Sequence, residues 1–275
     1  MKKFICVSIC VFGMGVLLNA CDKKKSDTEQ PAPTNNLIIL PNPPLLTASQ
    51  VTATVQKADY EIPVCRGDQC PKVDIQRLKT NVSWVNQFLD NQILKLSQSV
   101  TDQLGRHYSL QQNVDAFVKL SNEDAKNGGL GVPYTMSIRT EYLGSHGENL
   151  VQFKVGGEFY TGGAHGSAVN HYYVLDLSQH KQLKLNDLIG RYRENQVYGA
   201  LYPEFVRWVK SSDSTVNLKE YEAMWKFTLA HDFTLDQKGL TFYYGQYEIG
   251  PYSVGMPEFT IPYTKLNGII KPEYL

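Results

Sequence analysis

Tyr160-Thr161-Gly162-Gly163-Ala164-His165-Gly166 is the stretch on which the fold of this chain turns. Three glycines and an alanine frame one ionisable side chain. Glycine reaches φ > 0 at little cost and lets other groups approach closely, so the segment reads as a tight loop that presents or pins His165. Apolar residues recur every second position on its upstream side, with Val151, Phe153 and Val155 on one face of a strand. Further upstream, Met136, Ile138, Thr140 and Tyr142 mark the face of another. Gly144-Ser145-His146-Gly147 reads as the turn between them, and Gly156-Gly157 as a bulge or bend. A further strand runs from Ala168 to Asp176, which makes the whole an antiparallel meander.

Before the meander the period changes from two to 3.6. Val85, Phe88, Leu89, Leu96, Val100 and Leu104 predict a helix over 82–104, with Ser83 as its N-cap. Val114, Phe117, Val118 and Leu120 predict a second over 111–127, ended by Gly128-Gly129. The body is expected to start near Leu45, with a strand marked by Val51, Ala53 and Val55.

After the meander the pattern repeats in kind. Leu183, Leu185, Leu188 and Ile189 lead into a helix whose face carries Val197, Leu201, Phe205 and Trp208. Pro203 on that face predicts a kink, or a helix that begins at Tyr202. Phe227, Leu229, His231, Phe233 and Leu235 alternate as a strand, Asp236-Gln237-Lys238-Gly239 turns, and Leu240, Phe242 and Tyr244 line the return. His231 is expected as a core histidine. These elements predict an α+β fold: antiparallel sheets with packed helices, in two related lobes of one compact body, 45–176 and 177–275.

The N-terminus sets the expected compartment. Lys2 and Lys3 precede an apolar run from Phe4 to Leu18, too short to span a bilayer but suited to a signal peptide at 1–20. Leu18-Asn19-Ala20-Cys21 resembles the bacterial lipobox, which implies cleavage before Cys21 and diacylglycerol on its thiol. Acyl chains on Cys21 would hold the protein on a membrane without a spanning helix. Asp22 resembles an inner-membrane retention signal and Lys23 departs from it, so inner and outer membrane both stay open. Residues 21–44, with Pro31, Pro33, Pro41, Pro43 and Pro44, read as a tether, and Leu37-Ile38-Ile39-Leu40 as a segment that docks on the body. Cys6 and Cys10 leave with the leader. Cys65 and Cys70 are then an even pair in an oxidising compartment and predict a disulfide. Arg66-Gly67-Asp68 inside it reads as a turn.

Charge excludes one partner class. The chain carries 27 basic and 27 acidic residues, whereas nucleic-acid binding needs a basic surface to displace counterions. Spacing excludes familiar chemistry as well. There is no His-Glu-x-x-His and no second cysteine pair, so neither metal nor cofactor is expected. Ala164-His165-Gly166-Ser167-Ala168 is not a Gly-x-Ser-x-Gly elbow.

Two segments together resemble the extracytoplasmic domain of the RsiV anti-sigma factors. One is the Tyr160–Gly166 loop. The other is Tyr247-Glu248-Ile249-Gly250-Pro251-Tyr252-Ser253-Val254-Gly255, followed by Phe259-Thr260-Ile261-Pro262-Tyr263 and Leu266. The resemblance covers roughly residues 45–267 and is shared with a module that precedes some peptidoglycan deacetylase domains. It implies a wall-facing binding module whose partner is a lysozyme-like hydrolase or peptidoglycan glycan. This chain is expected to differ from RsiV in having a lipid anchor in place of a cytoplasmic segment and spanning helix, and to have no deacetylase domain.

His165 is the one residue in the loop with acid–base chemistry, and Ser167, Glu158 and Asp176 are its nearest candidate partners in sequence. Neighbouring strand residues point to opposite faces, so this spacing makes no triad. No catalytic residue is assigned; a hydrolase working through His165, or an envelope scaffold for another protein, is the alternative to a binding module. Tyrosine is the second signal. Fourteen of the 17 tyrosines lie from Tyr142 onward, and an exposed cluster suits sugar stacking or a protein interface. The expected ligand-binding residues are Tyr160, Gly162, Gly163, His165, Tyr243 and Tyr252.

Overall fold

The structure, a computed structural model, describes residues 46–65, 70–101, 109–129 and 131–275. The leader, Cys21, the tether with Leu37–Leu40, Leu104 and the Arg66-Gly67-Asp68 turn lie outside the described residues. Along the chain run β1 (Ala53–Lys57), β2 (Lys72–Thr80), α1 (Ser83–Ser99), α2 (Leu110–Lys126), β3 (Thr135–His146), β4 (Leu150–Tyr160), β5 (Ser167–Asp176) and β6 (Lys181–Gln182). There follow α3 (Leu185–Ile189), α4 (Glu194–Ser212), α5 (Leu218–Met224), β7 (Asp232–Leu235), β8 (Gly239–Tyr243), β9 (Glu258–Pro262) and α6 (Tyr263–Leu266). Among the described residues, β1 to β6 form a six-stranded sheet in sequence order, and β7 to β9 form a three-stranded sheet. The fold is α+β, and every strand pair is antiparallel except β2–β3. Pro44–Leu275 is one compact unit.

The meander follows from alternation. Val151, Phe153 and Val155 of β4 enter a core with Met136 and Ile138 of β3, covered by Val85, Leu89 and Ile93 of α1 and Val114, Phe117 and Val118 of α2. Leu150 of β4 and Val174 of β5 belong to a second core, with Val197, Leu201 and Phe205 of α4 and Leu235, Leu240 and Phe242 of the small sheet. The large sheet therefore feeds both cores. Adjacent strand residues face opposite sides, so one strand can serve two cores.

Several local expectations need correction. Ser83 is the first helical residue of α1, not its cap; the cap position is Val82. Asn86 organises that end, accepting from the Thr80 N–H and donating to the Thr80 carbonyl. By contrast Ser109 caps α2 as half of a reciprocal pair with Gln112. Leu120 of α2 is exposed. The turn between β3 and β4 is Gly147–Asn149, because β3 continues through Gly144 with a register shift after Tyr142. Gly156 and Gly157 hold regular register instead of a bulge. They are glycines because a Cβ would collide with the Asn170 side chain at 156 and with the Phe159 ring at 157. α4 runs through Pro203 as one helix. The long strand expected at 227–235 shortens to β7; Phe227 and Ala230 reach the second core from chain that pairs with no strand. His231 is exposed rather than a core histidine.

Cys65 and Cys70 are disulfide-bonded with Cα atoms 5.7 Å apart.

Besides the shared core, three polar or ring contacts join the small sheet to the large one among the described residues. The Gln152 side chain, 4% exposed, donates to the Leu235 carbonyl at 2.6 Å and accepts from the Leu235 N–H at 2.7 Å. Tyr172 of β5 stacks on Tyr243 of β8, with centroids 3.6 Å apart and planes within 7°. Burial, reinforced by Tyr243, pushes the Tyr172 phenol up to about 12. His171 meets Asp232 at 3.1 Å.

Two predictions follow from this junction. Gln152→Leu keeps the volume but leaves two buried backbone groups of Leu235 unpaired, each costing about 1–3 kcal/mol. Thermal unfolding of the variant should fall by about 5 °C or more; an unchanged midpoint would contradict the role given to Gln152. The hydrogen bond to Asp232 raises the His171 pKa above its ordinary 6.5, against an opposing effect of burial. A raised folded-state pKa stabilises fully below the unfolded value and loses that stabilisation as pH rises through the folded value. Wild type should therefore exceed Asp232→Asn in melting temperature at about pH 5.5, and the gap should shrink by about pH 9. His171 is half exposed, so the gap is small.

Candidate functional site

The loop after β4 is built from its backbone outward. Gly162 and Gly163 both sit at φ +92°, a region that disfavours other residues. The Tyr160 hydroxyl donates to the Gly163 carbonyl at 3.1 Å and closes the loop. His165 Nδ1–H donates to the Gly166 carbonyl at 2.8 Å, since a carbonyl only accepts. Its Nε2 then faces the Tyr247 hydroxyl at 3.5 Å. The ring lies on Tyr252, with centroids 4.0 Å apart and planes 24° apart. The Tyr252 hydroxyl donates to the Gly166 carbonyl at 3.3 Å.

The partner turn after β8 is braced from below. Gly245 N–H donates to the Glu248 carboxylate at 2.7 Å. Tyr221 of α5 donates to the Ile249 carbonyl at 3.0 Å. Gly250 is tight against Tyr221 and Trp208, where a Cβ would lie 2.8 Å from the Tyr221 hydroxyl. Tyr247 holds φ +64°, unusual for a bulky residue and costing about 1–2 kcal/mol. That backbone keeps its side chain 49% exposed, between Tyr252 at 5.8 Å and Trp225 at 6.3 Å.

The result is a surface of four rings, His165, Tyr252, Tyr247 and Trp225. Beside it lies an open groove of about 310 Å³ lined by Thr135, Glu158, Tyr160, Ser167, Gln246 and Tyr252. Gln246 ties the groove to β5 by accepting from the Ala168 N–H at 3.0 Å.

Of the residues singled out from sequence, Tyr160, Gly162, Gly163, His165 and Tyr252 come together here. Tyr243 does not. It is stacked on Tyr172 and its hydroxyl bonds Thr234 at 2.9 Å, so it belongs to the junction between sheets. Tyr247, Gln246 and Trp225 join the surface without having been chosen. Tyr247 lay within the quoted motif, whereas Trp225, just past α5, carried no sequence signal.

The arrangement disfavours acid–base catalysis by His165. Asp176 lies at the opposite end of β5, where it accepts from Ser178 and Gln179. The partners of His165 are a carbonyl and a phenol, not a carboxylate that would orient it. Among the described residues, no group of three His, Cys, Asp or Glu is placed to hold a metal ion, and no helix is long and apolar enough to cross a membrane.

Comparison with known proteins places a domain on this frame. The family described as "Protein of unknown function (DUF3298)" matches residues 181–264, a span that includes α3 to β9 and the Tyr247–Tyr252 turn. No curated protein matches the chain. The fold is similar to the crystal structure of a DUF3298 family protein from Pseudomonas aeruginosa PAO1, at TM-score 0.60 and 24% identity, over 85% of this chain and 97% of that one. It is similar also to a DUF3298 family member from Bacteroides fragilis NCTC 9343, at TM-score 0.60 and 20% identity, over 83% and 96%. A DUF3298 domain thus lies at 181–264, in a fold that solved members of that family share.

Proposed function

We propose that this chain is an envelope lipoprotein, anchored through Cys21, whose body binds a lysozyme-like wall hydrolase or peptidoglycan without catalysing a reaction. The observation that carries the reading is the meeting of the two RsiV-like segments. Tyr160–Gly166 and Tyr247–Gly255 stand some 80 residues apart, yet His165 stacks on Tyr252 and reaches Tyr247. Exposed, braced aromatic rings lose little entropy on binding and supply large contact area, which suits a protein interface or the face of a sugar. The adjoining groove offers Glu158, Ser167 and the amide of Gln246 for polar contacts.

Retention of lysozyme or murein by the protein, read in a pull-down, tests the binding. Tyr247→Ala with Tyr252→Ala should weaken retention by about 30-fold or more, in the range of two anchor residues at an interface. Full retention by that variant, or none by wild type, would overturn the reading. If His165 were catalytic instead, His165→Ala would abolish turnover of wall material; a normally folded variant with full turnover would end that alternative. Anchoring has its own readout. Cys21→Ala should abolish acyl labelling; a wild-type protein without acyl label would contradict the anchor.

A further inference from the structure

Strand geometry gives the body two distinct ends. The β4–β5 loop with His165 lies at the Tyr160 end of β4, and the Gly147–Asn149 turn lies at the Leu150 end. Eleven residues of extended chain separate them by about 30 Å. The described chain begins at the second end, where the Ala48 N–H donates to the Glu148 carbonyl at 2.7 Å. The C-terminal segment closes over the same end. His146 Nε2 meets the Tyr274 carbonyl at 3.1 Å, and Lys271 N–H donates to Leu188 at 3.0 Å.

Beside that segment lies an open cavity of about 540 Å³ lined by Arg191, Arg193 and Lys271, with Asn267, Ile270 and Leu275. Among the described residues none of these three cations makes an ion pair with a side chain; Arg193 donates only to the Ile269 carbonyl at 3.4 Å. Between the arginines stands Tyr192, 95% exposed and held at φ +65°. A phenol ring that packs on nothing, flanked by unpaired guanidinium groups, matches the amphipathic zone of a bilayer surface, where rings sit at headgroup depth and cations meet phosphates.

We propose that this end of the body, with Tyr192 at its tip and Arg191, Arg193 and Lys271 around it, seats on anionic phospholipid headgroups and turns the His165–Tyr247–Tyr252 surface away from the membrane. The proposal rests on the anchoring at Cys21 only for its setting; the surface itself is testable without it. A body already tethered at a membrane meets it at high effective concentration, so a weak contact is enough to orient it.

Each cation near an anionic surface raises partition about fivefold; Asp187, which also acts on Lys271, is matched by Lys181, and the neighbouring carboxylates of Glu194 and Glu273 offset two of the three cations, leaving roughly fivefold in all. The compact unit of residues 44–275 holds both hydrophobic cores and serves as the probe. It should partition about fivefold better onto phosphatidylglycerol vesicles than onto phosphatidylcholine vesicles, and lose the preference at high salt. Arg191→Gln with Arg193→Gln and Lys271→Gln should abolish the preference, with the thermal transition kept as proof of folding. A fluorophore at Tyr192→Cys in the anchored full chain should be quenched by headgroup-labelled lipid, and one at Ala164→Cys should not. Equal partition onto both vesicles would overturn the proposal and leave the anchor reading intact. A full chain that washes off membranes while the unit still prefers phosphatidylglycerol would overturn the anchor and uphold the surface.

Discussion

A buried side-chain amide on β4 pairs with the backbone of β7 as a neighbouring strand would. Gln152 both donates to and accepts from Leu235. β7 is an edge strand, and a buried edge needs partners for its backbone groups. Among the described residues no strand of the large sheet pairs with it. One glutamine does, and it fixes where the three-stranded sheet docks. Everything built on β8 and β9 inherits that placement, including the turn that carries Tyr247 and Tyr252.

The docking explains why the aromatic surface exists at all. Its rings come from the β4–β5 loop, from the end of α5 and from the turn after β8. None of these segments forms it alone. His171–Asp232, Tyr172–Tyr243 and Ala168–Gln246 continue the junction along β5 toward the loop. The loop glycines and the left-handed Tyr247 backbone then set the last few ångströms. The turn half is backed by Tyr221 and Trp208, and the loop half is held by its own hydrogen bonds and by the stack on Tyr252, which pre-organises the surface for recognition.

Legibility in the sequence followed the physics of burial. β3, β4 and β5 could be read because each sends one face into a core, so alternation survives in the residues. β2 could not. Its buried positions run Val73, Ile75, then Leu78 and Thr80, out of phase. The slip falls where the strand leaves β3 and takes β1 as its partner. Ser83 misled because a serine before an apolar run resembles a cap, whereas the helix starts at Ser83 without a side-chain cap and Asn86 ties its first turn back to Thr80. At the site, glycine spacing marked the loop and the quoted motif marked the turn. Alternation correctly turned Tyr243 away from the Tyr244 face but could not tell that Tyr172 would cover it. Trp225 was invisible because its place depends on the docking of two sheets, and no local pattern encodes that.

The central claim is that the two sheets, joined through Gln152 and Leu235, unfold as one unit and so hold both halves of the aromatic surface in register. Native-state hydrogen exchange across a denaturant series measures this directly. The amides of β4, β5 and β7 to β9 should merge onto a single global opening free energy, the Leu235 amide among them. If β7 to β9 instead open at a distinctly lower free energy while β3 to β5 stay protected, the sheets are separate units and the account is contradicted.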